Sequence, residues 1–134
     1  MRRWNTRRPN GLTKHSHINR CVFDSTWEAS DAYRLDDSPL VKSWARNDHL
    51  GFDVWYAFRG ARRRYYPDFL VRLANGRMLV LETKGEVDDE SRAKRQYLRE
   101  WIRAVNEHGG FGEWVEDTAY KPEDIVTILE KHGH

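Results

Sequence analysis

The chain reads as an α/β domain, a mixed β-sheet with helices on its faces, on three observations. The segment "YYPDFLVRLANGRMLVLETKG" (65–85) carries two apolar runs around Asn75-Gly76, the pattern of a β-hairpin. Residues 88–108 place Ala93, Tyr97, Leu98, Trp101, Ile102 and Val105 along one helical stripe, and Gly109-Gly110 follows as a left-handed stop. Aromatic and β-branched runs on either side, "FDVWYAF" and "GEWVEDTAY", read as further strands.

Taken in order, residues 1–20 form a basic, irregular N-terminal arm, in which Pro9 and Asn10-Gly11 interrupt any periodicity. Residues 21–134 form a single domain. "HINRCVF" reads as a short strand, and "DSTWEASDAYRL" as a helix N-capped by Ser25, with Trp27 and Tyr33 on one side. "SPLVKSWARNDHLG" reads as another short helix, because Leu40, Val41 and Trp44 recur at helical spacing and Gly51 follows. "FDVWYAF" is a strand and "GARRR" a turn; then come the hairpin, the helix over 88–108 and the strand "GEWVEDTAY". Pro122 opens a last helix over "EDIVTILEK".

Composition narrows the function classes. With 39% apolar and 33% charged residues, six Trp and six Tyr, the chain has a soluble globular profile and not a disordered one. No apolar run approaches the roughly 18–20 residues of a membrane span, and the first residues lack the apolar stretch of a secretory signal. Cys21 is the sole cysteine, which excludes a disulfide framework and a cysteine-built zinc site and makes the reducing cytoplasm the expected location. His15 and His17 have a metal-like spacing, but no third ligand accompanies them, so they are read as surface histidines. The net charge of +2 is unevenly spread: Arg2, Arg3, Arg7, Arg8, Lys14 and Arg20 meet no acid in the arm, and Arg59, Arg62, Arg63 and Arg64 cluster before the hairpin. Such blocks suit a phosphate backbone; a solvated arm and a solvated loop are the plain rivals.

The hairpin also carries charges where strands usually exclude them. With Ala74-Asn75-Gly76 as a three-residue loop, Leu73 faces Arg77 and Asp68 faces Glu82, on one side of the sheet with Lys84. The opposite side is then Phe69, Val71, Leu73, Leu79 and Leu81, wholly apolar. Leu70 and Val80 lie between turn and charges, so the pair is expected to be central and covered on both faces. A two-residue Asn75-Gly76 loop is the alternative, and would set Asp68 opposite Thr83. Two carboxylates this close repel unless a cation intervenes. Magnesium, which takes one or two carboxylates and keeps waters for a phosphate, would resolve the conflict. Lys84 would then hold a phosphate oxygen or orient the attacking water.

Pro67-Asp68 followed by Glu82-Thr83-Lys84 resembles the PD-(D/E)xK nuclease signature; Pro-Asp and Glu-x-Lys each occur once in the chain. "SHINRCVFDSTWE", "ARNDHLGFDVWYAF", "RRYYPDFLVRLANGRMLVLETKG" and "IRAVNEHGGFGEW" together resemble the C-terminal endonuclease region of type III restriction enzymes and related restriction-associated helicases, from about Thr6 to Trp114. The resemblance implies a restriction-endonuclease-like αβββαβ core and a Mg2+-dependent (or Mn2+-dependent) DNA endonuclease that leaves 5′-phosphate and 3′-hydroxyl ends. It implies Asp68 and Glu82 as metal ligands with the carbonyl of Thr83 as a third, Lys84 as the motif lysine, and Glu28 as the acid on the first helix. Lys94 and Gln96, early on the helix after the motif, become candidate DNA or water-positioning contacts beside Arg62, Arg63 and Arg64.

Rival readings stand beside these. Glu28 follows Ser25 at capping-box spacing, and Tyr97 and Trp101 read as core rather than as base-stacking platforms. The implied partners are double-stranded DNA, an ATP-driven helicase or translocase module and a modification methyltransferase subunit, with no membrane. No GxxxxGK[ST] phosphate loop occurs, so the chain has no ATP site of that kind and is expected to be the nuclease piece of a longer protein. A catalytically inactive DNA-binding or helicase-docking module with the same fold is the alternative.

Overall fold

The computed structural model describes residues 26–47 and 50–134, with side chains from Asp31 onward. In chain order these form α1 (Thr26–Asp37), β1 (Val41–Arg46), β2 (Val54–Phe58), β3 (Ala61–Tyr65), β4 (Phe69–Leu73), β5 (Met78–Glu82), α2 (Asp89–His108), β6 (Trp114–Thr118) and α3 (Asp124–His132). The arm over 1–20, the "HINRCVF" strand, Ser25, His15 and His17 lie outside the described residues.

Four strands make a mixed sheet in the order β1-β4-β5-β6, antiparallel except for the parallel β5–β6 pair, and β2–β3 form a separate two-stranded ribbon. The parallel pair follows from chain connection: β5 and β6 are joined through α2, and a parallel neighbour needs such a crossover. α2 begins where Asp88 Oδ1 accepts from Ser91 N–H at 2.7 Å and ends at Gly109, whose φ of 78° a residue with a Cβ adopts at a cost.

The central hairpin has the three-residue loop. Leu73 N–H donates to Arg77 O at 2.8 Å, Gly76 takes φ 96°, and Phe69, Leu70, Val71 and Arg72 face Leu81, Val80, Leu79 and Met78. Asn75 is held by tertiary contact, donating from Nδ2 to His132 O at 2.9 Å while its Oδ1 accepts from Arg77 N–H at 3.0 Å. Both faces of the hairpin are covered. Phe69, Val71, Leu73, Leu79 and Leu81 pack with Leu35 of α1 and Ile125, Ile128 and Leu129 of α3. Leu70 and Val80 pack with Leu98 and Ile102 of α2 and with Val54, Tyr56 and Tyr65 of the ribbon. Tyr97 and Trp101 are core-facing as expected; Trp101 meets Phe52 and Trp114 edge-on, at ring-centroid distances of 4.9 and 5.3 Å.

Two expectations are corrected. Residues 41–46 are a strand, not a helix. A register shift at Lys42 lets Val41 pair with Leu73 while Trp44 pairs with Val71, so Val41 and Trp44 reach the same core three residues apart. A bulged strand thereby imitates helical spacing. The "GARRR" turn lies one residue earlier: Arg59 (φ 50°) and Gly60 (φ 79°) make a two-residue turn, and Arg62–Arg64 are in β3. On α1, Tyr33 is 61% exposed, and the buried side is Ala32 and Leu35 with Asp31 and Asp36.

Candidate functional site

At the end of the central hairpin away from its loop, the chain runs through Pro67-Asp68 into β4 and out of β5 through Glu82, Thr83 and Lys84. Continuing the observed pairing by one position sets Asp68 opposite Glu82, as the three-residue loop requires. The entry to β4 is fixed by Asn47, buried after β1: its backbone N–H donates to Asp68 O at 2.8 Å, and its Nδ2 donates to Pro67 O at 2.9 Å and Phe52 O at 2.7 Å. The Asp68 carboxylate closes the far side of this mouth, Oδ2 accepting from Thr83 N–H at 2.8 Å and from Thr83 Oγ1 at 3.2 Å. Thr83 is buried, whereas Asp68 and Lys84 reach solvent.

Glu82 is half-buried on the α2 side. Burial raises its pKa above the usual carboxylate range, the Tyr65 hydroxyl lowers it, the Asp68 charge raises it again, and Arg95 and Lys94 oppose that. Among the described residues neither Tyr65 Oη nor Glu82 Oε1 completes a hydrogen bond of ordinary geometry, although both atoms are buried. The Tyr65 phenol is pushed up by burial and then by Glu82, so it stays protonated.

A residue absent from the sequence reading joins on the other face. Asp31 of α1 is fully buried, and neither oxygen completes a hydrogen bond of ordinary geometry among the described residues, although Thr83 lies close enough to act on it. Burial pushes its pKa up to about 7; Thr83 lowers it, Asp68 adds to the rise, and Arg34 and Lys84 oppose it. Asp68 thus sits within electrostatic reach of buried Asp31 from one face and half-buried Glu82 from the other. Sequence held a signal for Asp31: it lies four residues before the core residue Leu35, on the buried stripe of α1. Glu28 lies one turn earlier in α1, and its side chain is outside the described residues.

The remaining predicted residues divide. Lys94 belongs to the site, its Nζ 5.9 and 5.7 Å from the ring centroids of Tyr56 and Tyr65 and its charge acting on Glu82. Gln96 is exposed on α2, and among the described residues no hydrogen bond ties it to the carboxylates. Lys84 leaves the strand alternation by taking φ 56°, and its charge acts on Asp31, while Glu82 has Arg95 and Lys94 as its cations. This changes the expected single face of Asp68, Glu82 and Lys84. Arg62 and Arg64 lie on the outer face of β3, whereas Arg63, also exposed, lies on the Tyr56 side and pairs with Glu90 at 3.3 Å.

Among the described residues no three His, Cys, Asp or Glu side chains form a ready-made metal cage; a set of two carboxylates and a backbone carbonyl is smaller than that. No family model matches the chain, and neither a curated protein nor a solved structure matches it. No helix among the described residues is long and apolar enough to cross a membrane.

Proposed function

We propose that the chain is a metal-dependent DNA endonuclease domain with a restriction-endonuclease-like core, the cleavage module of a type III restriction system working in the cytoplasm. The observation that carries this reading is the meeting of Asp68, Glu82, Thr83 and Lys84 at one end of the two central strands, with Asp31 added from α1. The element order supports it as well. With the ribbon set aside as an insertion, α1-β1-β4-β5-α2-β6 is the αβββαβ order that the motif resemblance implies.

The residues present fit a divalent cation. Among the described residues the buried carboxyl oxygens of Asp31 and Oε1 of Glu82 complete no hydrogen bond of ordinary geometry, and both groups have raised pKa values, a donor chemistry that suits a positive charge. Asp68, Glu82 and the Thr83 carbonyl would hold magnesium or manganese, which when bound supplies charge neutralisation at the phosphate and a more acidic water. The chain's own groups do the rest. Lys84, exposed beside Asp31, offers a positive charge to a phosphate oxygen as negative charge builds in the transition state. Lys94 balances Glu82 from the α2 side. Asp31, ionised from about neutrality upward, adds a second helix-borne acid to the one expected at Glu28. Water adds to phosphorus, the bond to the 3′-oxygen breaks, and 5′-phosphate and 3′-hydroxyl ends remain. Double-stranded DNA is the substrate, and an ATP-driven motor and a methyltransferase subunit are the partners that would bring it.

Supercoiled plasmid incubated with Mg2+, Mn2+ or EDTA tests the reading. Metal-dependent nicking is expected, lost in Asp68→Ala and Lys84→Ala and weakened in Asp31→Asn. Nicking unchanged in the Asp68 and Lys84 variants would overturn the site. Intact salt-sensitive DNA binding with no cleavage under any metal would favour an inactive binding module.

A further inference from the structure

The β2–β3 ribbon has two chemically different faces. Val54, Tyr56 and Tyr65 are buried toward Leu98 and Ile102 of α2. The alternate residues Trp55, Ala57, Arg62 and Arg64 are exposed on the opposite face. Trp55 pairs with Arg64 and Ala57 with Arg62, so the two arginines stand side by side on one strand, about 6.6 Å apart at Cα. Both guanidinium groups lie against the Trp55 ring, with Cζ 4.9 Å (Arg62) and 4.7 Å (Arg64) from its centroid.

The ring is 45% exposed and is absent from the core that anchors the ribbon. Its contacts instead restrain two long cationic side chains, which reduces the rotamer freedom they lose on meeting a ligand. Arg59 adds a third cation at the turn, over Phe58. Asp53, 3.5 Å from Arg64, is the acid that meets this group. Arg63 differs: it is exposed on the other side of the strand and shares Glu90 Oε2 with the Tyr56 hydroxyl, which donates at 2.6 Å.

We infer that the outer face of the ribbon docks duplex DNA, with Arg62 and Arg64, racked on Trp55, contacting neighbouring phosphates. The inference rests on the nuclease reading for its partner, and chain geometry connects the two. Arg64 precedes Asp68 by four residues, a span of at most about 14 Å, so a duplex at the carboxylates lies within reach of the ribbon. A two-stranded ribbon also matches the major groove, about 12 Å wide. Charge complementarity selects the phosphate backbone as the occupant.

The test is binding of a short fluorescent duplex in EDTA across a salt series, read by anisotropy, with thermal melts of every variant. Arg62→Gln with Arg64→Gln is expected to weaken binding roughly tenfold and to lower the slope of log K against log salt by about 1.8, at 0.9 per phosphate. The same pair changed to lysine keeps the slope, as does Arg63→Gln. Trp55→Ala is an independent arm, expected to keep the slope and lose affinity severalfold. An unchanged slope in the glutamine pair, or unchanged affinity in Trp55→Ala, overturns the inference. So does tighter arginine-dependent binding of single-stranded DNA, or displacement of the duplex by polyglutamate at equal charge. Plasmid nicking separates the two readings. Arginine-dependent binding without any nicking supports the docking face and removes the nuclease. Asp68-dependent nicking with an unchanged salt slope does the reverse.

Discussion

The two hairpins of this protein carry similar numbers of charges under opposite physical rules. β4–β5 is covered on both faces, so a one-residue slip would drive an entire apolar face toward the wrong layer. β2–β3 is covered on one face only, and Arg62 and Arg64 stay in water on the other, where charge costs little. Glu82, at the end of the covered pair, has its carboxyl shifted by burial. A charge in the ribbon therefore needs no special account, whereas a carboxylate in the central hairpin does. That asymmetry makes Asp68 and Glu82 informative and leaves the arginine cluster ambiguous until its faces are known.

The largest expected effect comes from breaking the pinned register. Deleting Ala74 leaves Asn75-Gly76 as a favourable two-residue turn but moves one strand by a residue against the other. We expect loss of a cooperative thermal transition by circular dichroism. Inserting one glycine after Gly60 in the ribbon turn should leave a cooperative melt, lowered by about 1 kcal/mol or less, since loop length itself costs little. Equal damage from both changes would remove the contrast.

Next in size is the pH response of Asp31. Its pKa, about 7 in the folded chain against an ordinary 3.8, means the native state holds a proton that the unfolded chain releases. Stability therefore falls as pH rises from about 4 to 7 and levels off above, with a full loss of roughly 4 kcal/mol as an upper figure. Glu82, also raised, acts with the same sign. Asp31→Asn should flatten most of that slope and be more stable than the parent above pH 7, measured by urea unfolding across pH. A parent stability that rises over this range would contradict the burial of Asp31.

A smaller effect is expected at Gly85, where the motif strand leaves the sheet. A Cβ there would run into Thr118 Cγ2, with the Tyr120 ring 3.0 Å away, while Gly85 N–H donates to Ala119 O at 3.0 Å. Gly85→Ala should cost about 1–3 kcal/mol by overpacking and displace Lys84, so nicking should fall further than stability does. Urea midpoints and nicking rates on one preparation separate the two losses.

Much of this architecture was legible because burial leaves periodic traces. Phe69 to Leu73 and Met78 to Glu82 betrayed a two-faced strand pair, and the Leu98–Ile102 stripe betrayed α2. What stayed hidden was whatever broke a simple period. The bulge at Lys42 gave β1 a helical spacing, and β3 looked like a turn because its exposed face is arginine. At the candidate site, Asp68, Glu82 and Lys84 are singled out by local chain order. Asp31 left only the trace of a helix stripe shared with Leu35, and Asn47, an amide holding the Pro67 carbonyl, has no local signature.

The smallest expected effect tests whether the ribbon's arginines differ by face. Arg63 is 56% exposed and Glu90 33%, so their 3.3 Å ion pair is a surface bridge, of a kind that contributes about 0–1 kcal/mol. Arg63→Ala should lower stability within that range, because Glu90 keeps its 2.6 Å bond from the Tyr56 hydroxyl. Tyr56→Phe removes the shorter bond and should cost about 0.5–1.5 kcal/mol, loosening the ribbon from the start of α2. If Arg63→Ala proves the more damaging, the Glu90-paired arginine is a principal anchor rather than an accessory. The division of labour between the ribbon's faces would then have to be drawn through Arg63 and Glu90 instead of Tyr56.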